Sequence, residues 1–523
     1  MKKKIFLNQT LNSANKKLIK NYETKESLLF VDRGRINSAY IFSLCAAAVN
    51  SKFKKKIYLL TDKEKNDEII KLYKNFGFKN FLEGVNKFQY FKNFVLFIKS
   101  FILSVICIIK IKNSNFLWFI NFYKINNILF GDLIYDTYIR FNDKYINPKI
   151  DINFFKLLVV CTFRVHLILK YIETYNVKIL IVGTEHYAFN DGVALRISSY
   201  KKEIKNFTFR RLNEKGYFEI LEFDKKDIFR GYNSLQNKLL LKRFSRLKIS
   251  KSKIDEFYNK RKNLKTTNLY TRKTFKRANK GLGHKFISKI IELRKNKKII
   301  LYASHALADA THSLGINYSF QDYYSQFKET LINVYKNDDR NIWIFRSHPS
   351  SNLNTERQKL LNLFIKYPKK NIFFCPLYVP INELSQLCDA VITGRGTIAL
   401  EFLCEKKQAI LAGVPRYLHR GLNLNYCMKK EKYFKFINQI NSLPKLTKLN
   451  IEIAKKILYF YEMGFFVSKK IDYSDLIKDK QILKVLNIFL KPKVTEKDYR
   501  EVSNIFKTKL ENSIFYSLMR KKI

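Results

Sequence analysis

Asn341-Ile342-Trp343-Ile344-Phe345 runs into Arg346-Ser347-His348-Pro349-Ser350-Ser351, and Asp389-Ala390-Val391-Ile392 runs into Thr393-Gly394-Arg395-Gly396-Thr397-Ile398-Ala399-Leu400-Glu401. In each, a short apolar run reads as a strand buried on both faces. Each is followed by a turn of small and polar residues and then by helical periodicity. A strand that empties into such a turn offers free backbone N–H groups to an anion, and ligands of parallel sheets bind at that edge. Two such turns in one alternating series point to a nucleotide ligand.

The strands around this pair continue the rhythm: Ile299-Ile300-Leu301-Tyr302, Asn371-Ile372-Phe373-Phe374 and Gln408-Ala409-Ile410-Leu411. Helices are expected near 322–336, 355–367, 381–387 and 397–405. A first series begins at Leu28-Leu29-Phe30-Val31 and Lys56-Ile57-Tyr58-Leu59-Leu60, with helices expected over 37–49 and 65–76. It resumes with a helix over 154–175 and the strand Lys178-Ile179-Leu180-Ile181-Val182. The expected fold is therefore α/β, with two doubly wound domains facing each other across a cleft and a helical C-terminal extension. The expected segments are 1–250, a basic linker with a surface helix over 251–297, 298–447, and a helical extension over 448–523.

Length and charge bound the class. At 523 residues and 62.4 kDa the chain exceeds one ordinary core. A mean hydropathy of −0.25 suits a soluble body. Lys and Arg number 99 against 44 Asp and Glu, a formal charge of +55. Such a surface suits nucleic acid or an anionic membrane. No nucleic-acid-binding motif accompanies it, so no nucleic-acid partner is expected. The abundance of Lys, Asn, Ile, Phe and Tyr, with few Gly and Pro, also fits an AT-rich coding sequence. The seven cysteines form no CxxC and sit mostly in apolar runs, as reduced core thiols of a cytoplasmic protein do. The first residues have a basic start but no apolar core of a signal peptide. Phe94 to Ile109 is almost wholly apolar and is read as a buried or interfacial helix, with a place at the inner face of the cytoplasmic membrane as the expectation.

His348 and Pro349, with the hydroxyls of Ser350 and Ser351, are the first candidates for contacts to a donor nucleotide. Gly394 and Gly396 let the backbone approach a ligand, Arg395 can neutralise a phosphate, and Thr397 can cap a helix or donate to phosphate. Glu401, one turn on from Thr397, is placed to reach ribose hydroxyls. For a base that takes a proton from an acceptor hydroxyl, the strand-end residues Glu185, His186 and Asp309 are the leading candidates, with Asp136 and Asp191 behind them. His305 shares the strand end of Asp309. No spacing of acidic residues demands a metal, and no cofactor is expected beyond a nucleotide-sugar substrate.

The quoted stretches, together with Tyr302-Ala303-Ser304-His305-Ala306-Leu307-Ala308-Asp309 and Phe320-Gln321-Asp322-Tyr323-Tyr324, resemble the donor domain of GT-B glycosyltransferases, above all bacterial capsule and surface-polysaccharide enzymes. The resemblance covers about 298–430. In that family a Lys-Pro-His-Pro strand end and a Ser-Gly-Thr-x-x-x-Glu loop and helix bind the nucleotide. Here Arg346 precedes Ser347-His348-Pro349, and Arg395 stands where a small residue is common. The serines after His348-Pro349 are similar to those of transferases using CMP-activated acidic sugars such as Kdo. The resemblance implies transfer of a sugar to a lipid-linked or growing capsule or lipopolysaccharide acceptor. Alternatives are a polyol-phosphate (CDP-glycerol type) transferase, a sugar-nucleotide epimerase, and a non-catalytic membrane-associated scaffold of polysaccharide assembly.

Overall fold

The computed structural model describes residues 22–32, 53–61, 77–141, 148–183, 187–212, 217–223, 234–236, 238–263, 280–313, 318–349, 356–376 and 378–462, with isolated positions between them. The helices expected over 37–49 and 65–76, and everything after 462, lie outside these residues or are described only at isolated positions. The chain divides into two compact units. The described part of the first lies within Met1–Tyr138 and Lys149–Ile228, and that of the second within Ile139–Pro148 and Phe229–Val467.

The first unit contains β1 (Ser27–Val31), β2 (Lys56–Thr61), β3 (Asn80–Glu83), α1 (Lys87–Lys92), α2 (Phe94–Asn113), α3 (Phe116–Phe122), β4 (Lys124–Ile125), β5 (Ile128–Leu129), α4 (Gly131–Phe141) up to Tyr138, α5 (Ile152–Thr174), β6 (Val177–Val182), α6 (Asn190–Tyr200), β7 (Lys205–Leu212) and β8 (Tyr217–Phe223). Its six-stranded sheet has the order β3-β2-β1-β6-β7-β8. All neighbours are parallel except the β7–β8 pair. Leu28, Leu29, Phe30 and Val31 are fully buried, as an unbroken apolar run at the centre of a doubly covered sheet must be. α5 starts where the Asp151 carboxylate accepts the N–H of Phe154 at 2.8 Å. A bidentate pair, Arg196 to Asp132 at 2.9 and 3.0 Å, ties α6 to α4.

The second unit contains α7 (Lys238–Ser245), α8 (Lys251–Lys262), α9 (Lys280–Arg294), β9 (Ile299–Ala303), α10 (Tyr323–Asn337), β10 (Ile342–Arg346), α11 (Glu356–Phe364), β11 (Ile372–Phe374), α12 (Ile381–Leu387), β12 (Ala390–Thr393), α13 (Ile398–Cys404), β13 (Gln408–Leu411), β14 (Asn425–Tyr426), α14 (Lys430–Asn438) and α15 (Lys448–Glu462). The order β11-β10-β9-β12-β13-β14 is parallel throughout. In order of appearance this is 3-2-1-4-5-6, the doubly wound dinucleotide-binding topology, and the first unit repeats it. Both units are thus Rossmann-like, as the two strand series imply.

The unit boundaries differ from the expected segments. Residues 234–236 and 238–250 fold with the second unit: Leu235 N–H donates to Arg416 O at 2.7 Å, and Phe244 packs edge-on against Phe460. Within 251–297, α8 and α9 bury Ile254, Tyr258 and Ile290 in the second core. The polar composition of α8 hides this, because three apolar positions suffice to seat it and ion pairs hold the rest. Lys251 meets Glu452 at 2.8 Å, Lys455 meets Asp255 at 2.7 Å and Lys262 meets Glu405 at 3.1 Å. α15, the described start of the expected extension, belongs to the same core through Ala454, Ile457, Leu458 and Phe460.

Candidate donor site at the edge of the second sheet

The strand order of the second unit reverses between β9 and β12, and a parallel sheet opens a crevice for ligands at that point. β9 ends into Ser304 and His305, β10 into Ser347 and His348, and β12 into Gly394 and Arg395. The two stretches that mark the fold therefore come together with the 303–309 stretch at one edge. Register makes this unavoidable: Ala303 pairs with both Arg346 and Thr393. Ser304 N–H then donates to Arg346 O at 2.9 Å, which closes the corner between the first two turns.

The rings there form a layered stack. His305 lies on Tyr323 with centroids 4.3 Å apart and planes 10° apart, and His348 lies parallel to His305 at 5.9 Å and 15°. Tyr323 opens α10, whose start is fixed by Asp322 accepting Ser325 N–H at 2.6 Å. Arg395 donates to Thr311 O at 2.7 Å and sits over the Tyr318 ring at 5.3 Å. Its charge bears on His305.

Both imidazoles are held neutral near pH 7. Burial, then the charges of Arg395 and Arg416, lower His305 to about 4. Burial, then His305, lower His348 to about 4, while Asp309 opposes. Desolvation disfavours the imidazolium, and nearby guanidinium groups add to it. A neutral ring can donate one hydrogen bond and accept another, and an arriving phosphate would favour its protonation.

Asp309 is half-exposed. One carboxylate oxygen accepts the N–H of Ala310 at 3.1 Å, and the other stands 3.6 Å from Nδ1 of His305. The turn that carries it is built on Glu356. That carboxylate, 2% exposed, accepts Ala308 N–H at 3.0 Å and Leu307 N–H at 3.1 Å. Burial raises its pKa, and the two amides oppose the rise. Arg357, its neighbour on α11, donates to Ser347 Oγ at 2.9 Å and to Cys375 O at 3.2 Å. Glu356 and Arg357 are supporting residues that the sequence reading missed. They look like an ordinary charged helix start, and only the fold shows that their partners are the turns after β9 and β10.

The second turn differs in detail from its expected use. A Cβ on Gly394 would come within 2.9 Å of Tyr323 Cε1 and 3.1 Å of Tyr318 Oη, so the tyrosines themselves require glycine there. Gly396 is confined by Thr393 Oγ1 and gives its carbonyl to the Tyr417 hydroxyl at 2.7 Å. Thr397 begins α13 without a side-chain cap bond. Glu401 is paired with Arg261 of α8 at 2.5 Å, with the Arg261 side chain 9% exposed. Pro349 follows His348 directly. Ser350 and Ser351 lie outside the described residues, as do Glu185 and His186. Asp136 and Asp191 are buried in the first unit, at 0% and 2% exposure. Among the described residues no cluster of three His, Cys, Asp or Glu side chains stands ready for a metal.

No protein-family model matches the chain, and no curated protein matches it by sequence. Some solved structures resemble it weakly. The beta Kdo 2,7 transferase KpsC of Thermosulfurimonas dismutans is 12% identical, with 62% of this chain and 89% of that one covered and a TM-score of 0.31. A glycosyltransferase from Rickettsia africae ESF-5 is 12% identical, covering 91% and 100% with a TM-score of 0.27. The UDP-GlcNAc 2-epimerase of Neisseria meningitidis, solved with UDP-GlcNAc, is 11% identical, covering 83% and 98% with a TM-score of 0.26. At such scores these likenesses carry no argument about fold or activity. The fold assignment rests on the strand order above.

Proposed function

We propose that the chain is a metal-independent glycosyltransferase of surface-polysaccharide assembly. In this reading the second unit holds a nucleotide-sugar donor and the sugar passes to a glycan or glycolipid acceptor. The observation that carries the reading is the meeting of His305, His348 and Arg395 at the β9–β12 reversal point.

The chemistry follows from the residues present. An acceptor hydroxyl oxygen bonds to the anomeric carbon as the bond from that carbon to the donor phosphate breaks. The electron pair leaves with the nucleotide, and the hydroxyl proton goes to a base. Negative charge grows on the leaving phosphate, so a donor that meets it in the transition state speeds the step. His348 fills that role: neutral when the site is empty, it gains a proton or tightens a hydrogen bond as charge develops. Asp309 is the candidate base within the second unit, and Glu185 and His186 are the candidates from the first. The six cysteines among the described residues are buried free thiols, which supports a reducing cytoplasmic setting.

The test is a thermal-shift and calorimetric screen of the purified chain against CMP, CDP, UDP, GDP and dTDP, repeated on His348→Ala. A nucleotide present at 100 times its Kd should add about 2.7 kcal/mol of stability. One nucleotide stabilising the parent and not the variant supports the reading and names the donor class. Silence from all five with both proteins folded overturns it.

A further inference from the structure

α2 and α5 are the two described helices long and apolar enough to cross a membrane, yet only 22% of the most apolar stretch of α2 is buried, against 67% for α5. α5 is a core helix. α2 has one face in the protein and one outside it. Ser100, Ser104, Cys107 and Ile111 form the buried face at intervals of four, three and four. The Ser100 hydroxyl donates to Leu96 O at 2.6 Å and that of Ser104 to Ser100 O at 2.7 Å, so these short side chains close on their own helix. Ser100 Oγ also lies 2.8 Å from His166 Nδ1 of α5, and Lys170 Nζ of α5 donates to Asn93 Oδ1 at 2.7 Å. α2 is thereby fixed along its length to the body of the first unit.

The opposite face is a continuous apolar stripe. Val95, Ile98, Ile102, Val105, Ile106 and Ile109 are all exposed, Val95 at 79% and Ile109 at 55%. At 100° per residue they fall within one third of the helix circumference. Exposed Lys99 and Lys110 border that stripe on the same side, within about 20° of each other on the helix. From Gly84 to Gly131 the sequence contains six lysines and no Asp or Glu. A lysine stem can lie along an apolar surface while its ammonium reaches out to a charged headgroup.

We propose that the outer face of α2 is a monotopic docking surface for an anionic phospholipid bilayer, with the helix lying in the interface and not crossing it. The apolar stripe enters the headgroup boundary and the lysines meet lipid phosphates. A protein partner would need complementary shape, whereas a flat stripe with a one-sided basic border and no acidic residue fits a fluid anionic surface. The bonded inner face excludes a crossing, because a crossing would strip α2 from α5 and expose Ser100, Ser104 and His166 to hydrocarbon. This proposal does not depend on the donor reading.

The test is co-sedimentation of the full chain with vesicles of phosphatidylcholine alone and of phosphatidylcholine mixed with phosphatidylglycerol. The expected result is binding that needs the anionic lipid and weakens, without vanishing, as salt is raised. The paired substitution Lys99→Gln with Lys110→Gln should reduce partitioning to anionic vesicles by about 30-fold. Ile102→Asp with Ile106→Asp should abolish the salt-resistant part, with circular dichroism unchanged because both positions are exposed. Unchanged partitioning in either pair overturns the proposal. So does retention of the chain after an alkaline carbonate wash, which marks a spanning helix. A parent that ignores vesicles but turns from dimer to monomer on Ile102→Asp assigns the stripe to a second copy and equally overturns it.

Discussion

At the reversal point of the first sheet stands Asp32, and at that of the second stand His305, His348 and Arg395. The strand order is the same in both units. Asp32, just after β1, accepts from the Tyr73 hydroxyl at 2.7 Å and is 3.3 Å from Thr61 Oγ1. Burial and this carboxylate push the tyrosine pKa up. At the second edge the nearest carboxylate is that of half-exposed Asp309, 3.6 Å from His305 Nδ1. That edge has two imidazoles kept neutral by burial and a guanidinium beside them. Shared topology fixes where a ligand sits, while the side chains at the strand ends decide its charge. The first edge holds a buried carboxylate, whereas the second holds two neutral imidazoles and a guanidinium.

That contrast can be broken experimentally. The chain has two tryptophans, Trp118 in the first unit and Trp343 in the second, so Trp118→Phe makes fluorescence report the second unit and Trp343→Phe the first. The largest effect is expected from Glu356→Ala, which strands the amides of Leu307 and Ala308. The second unit should lose about 3 kcal/mol in urea unfolding, with nucleotide binding lost alongside. An effect below about 1 kcal/mol would mean that the 303–309 turn does not depend on Glu356.

His348→Ala should weaken the nucleotide found in the screen by about 2 kcal/mol, roughly 30-fold in calorimetry, with unfolding almost unchanged. Asp32→Asn should do the reverse. It is expected to cost the first unit about 1 to 2 kcal/mol and leave nucleotide affinity alone. If Asp32→Asn weakened the nucleotide as much as His348→Ala, the division of labour between the two edges would fall.

A further effect, read as a slope and not as a single loss, is expected in pH dependence. The folded pKa of both histidines, about 4, lies below the ordinary 6.5. Above 6.5 neither state carries the protons, and as pH falls from 6.5 toward 4 the unfolded chain gains them first. Stability present at neutral pH is therefore lost across that window. The melting temperature of His305→Phe with His348→Phe should fall less steeply over the same range, and an equal slope would remove the histidines from the account.

Much of this was legible in the sequence. β9, β10, β12 and β13 are unbroken apolar runs, and their turns announced the edge of the second sheet. His348, Gly394, Arg395 and Asp309 do come to that edge, because register after a parallel strand leaves them nowhere else. The hidden parts have a common cause. Glu356 contacts residues 48 and 49 positions away, Arg261 contacts Glu401 across 140, and no local pattern encodes such pairings. A second constraint on Gly394 was likewise invisible: Tyr323, which opens α10, and Tyr318 ahead of it leave no room for a Cβ. The β7–β8 hairpin and the two-residue β14 carry too little apolar periodicity to stand out.

The seam between α8 and α15 sets an order of events during synthesis. Asp255 meets Lys455 across 200 residues of chain. At about 5–20 residues per second, α8 leaves the ribosome roughly 10 to 40 s before its partner exists. Through that interval Ile254 and Tyr258 lack the helix that covers them, and Glu401 later joins a half-built seam. The nascent second unit is thus exposed to misassembly until α15 emerges, so a stop codon shortly before residue 448 should yield aggregate instead of a smaller folded protein.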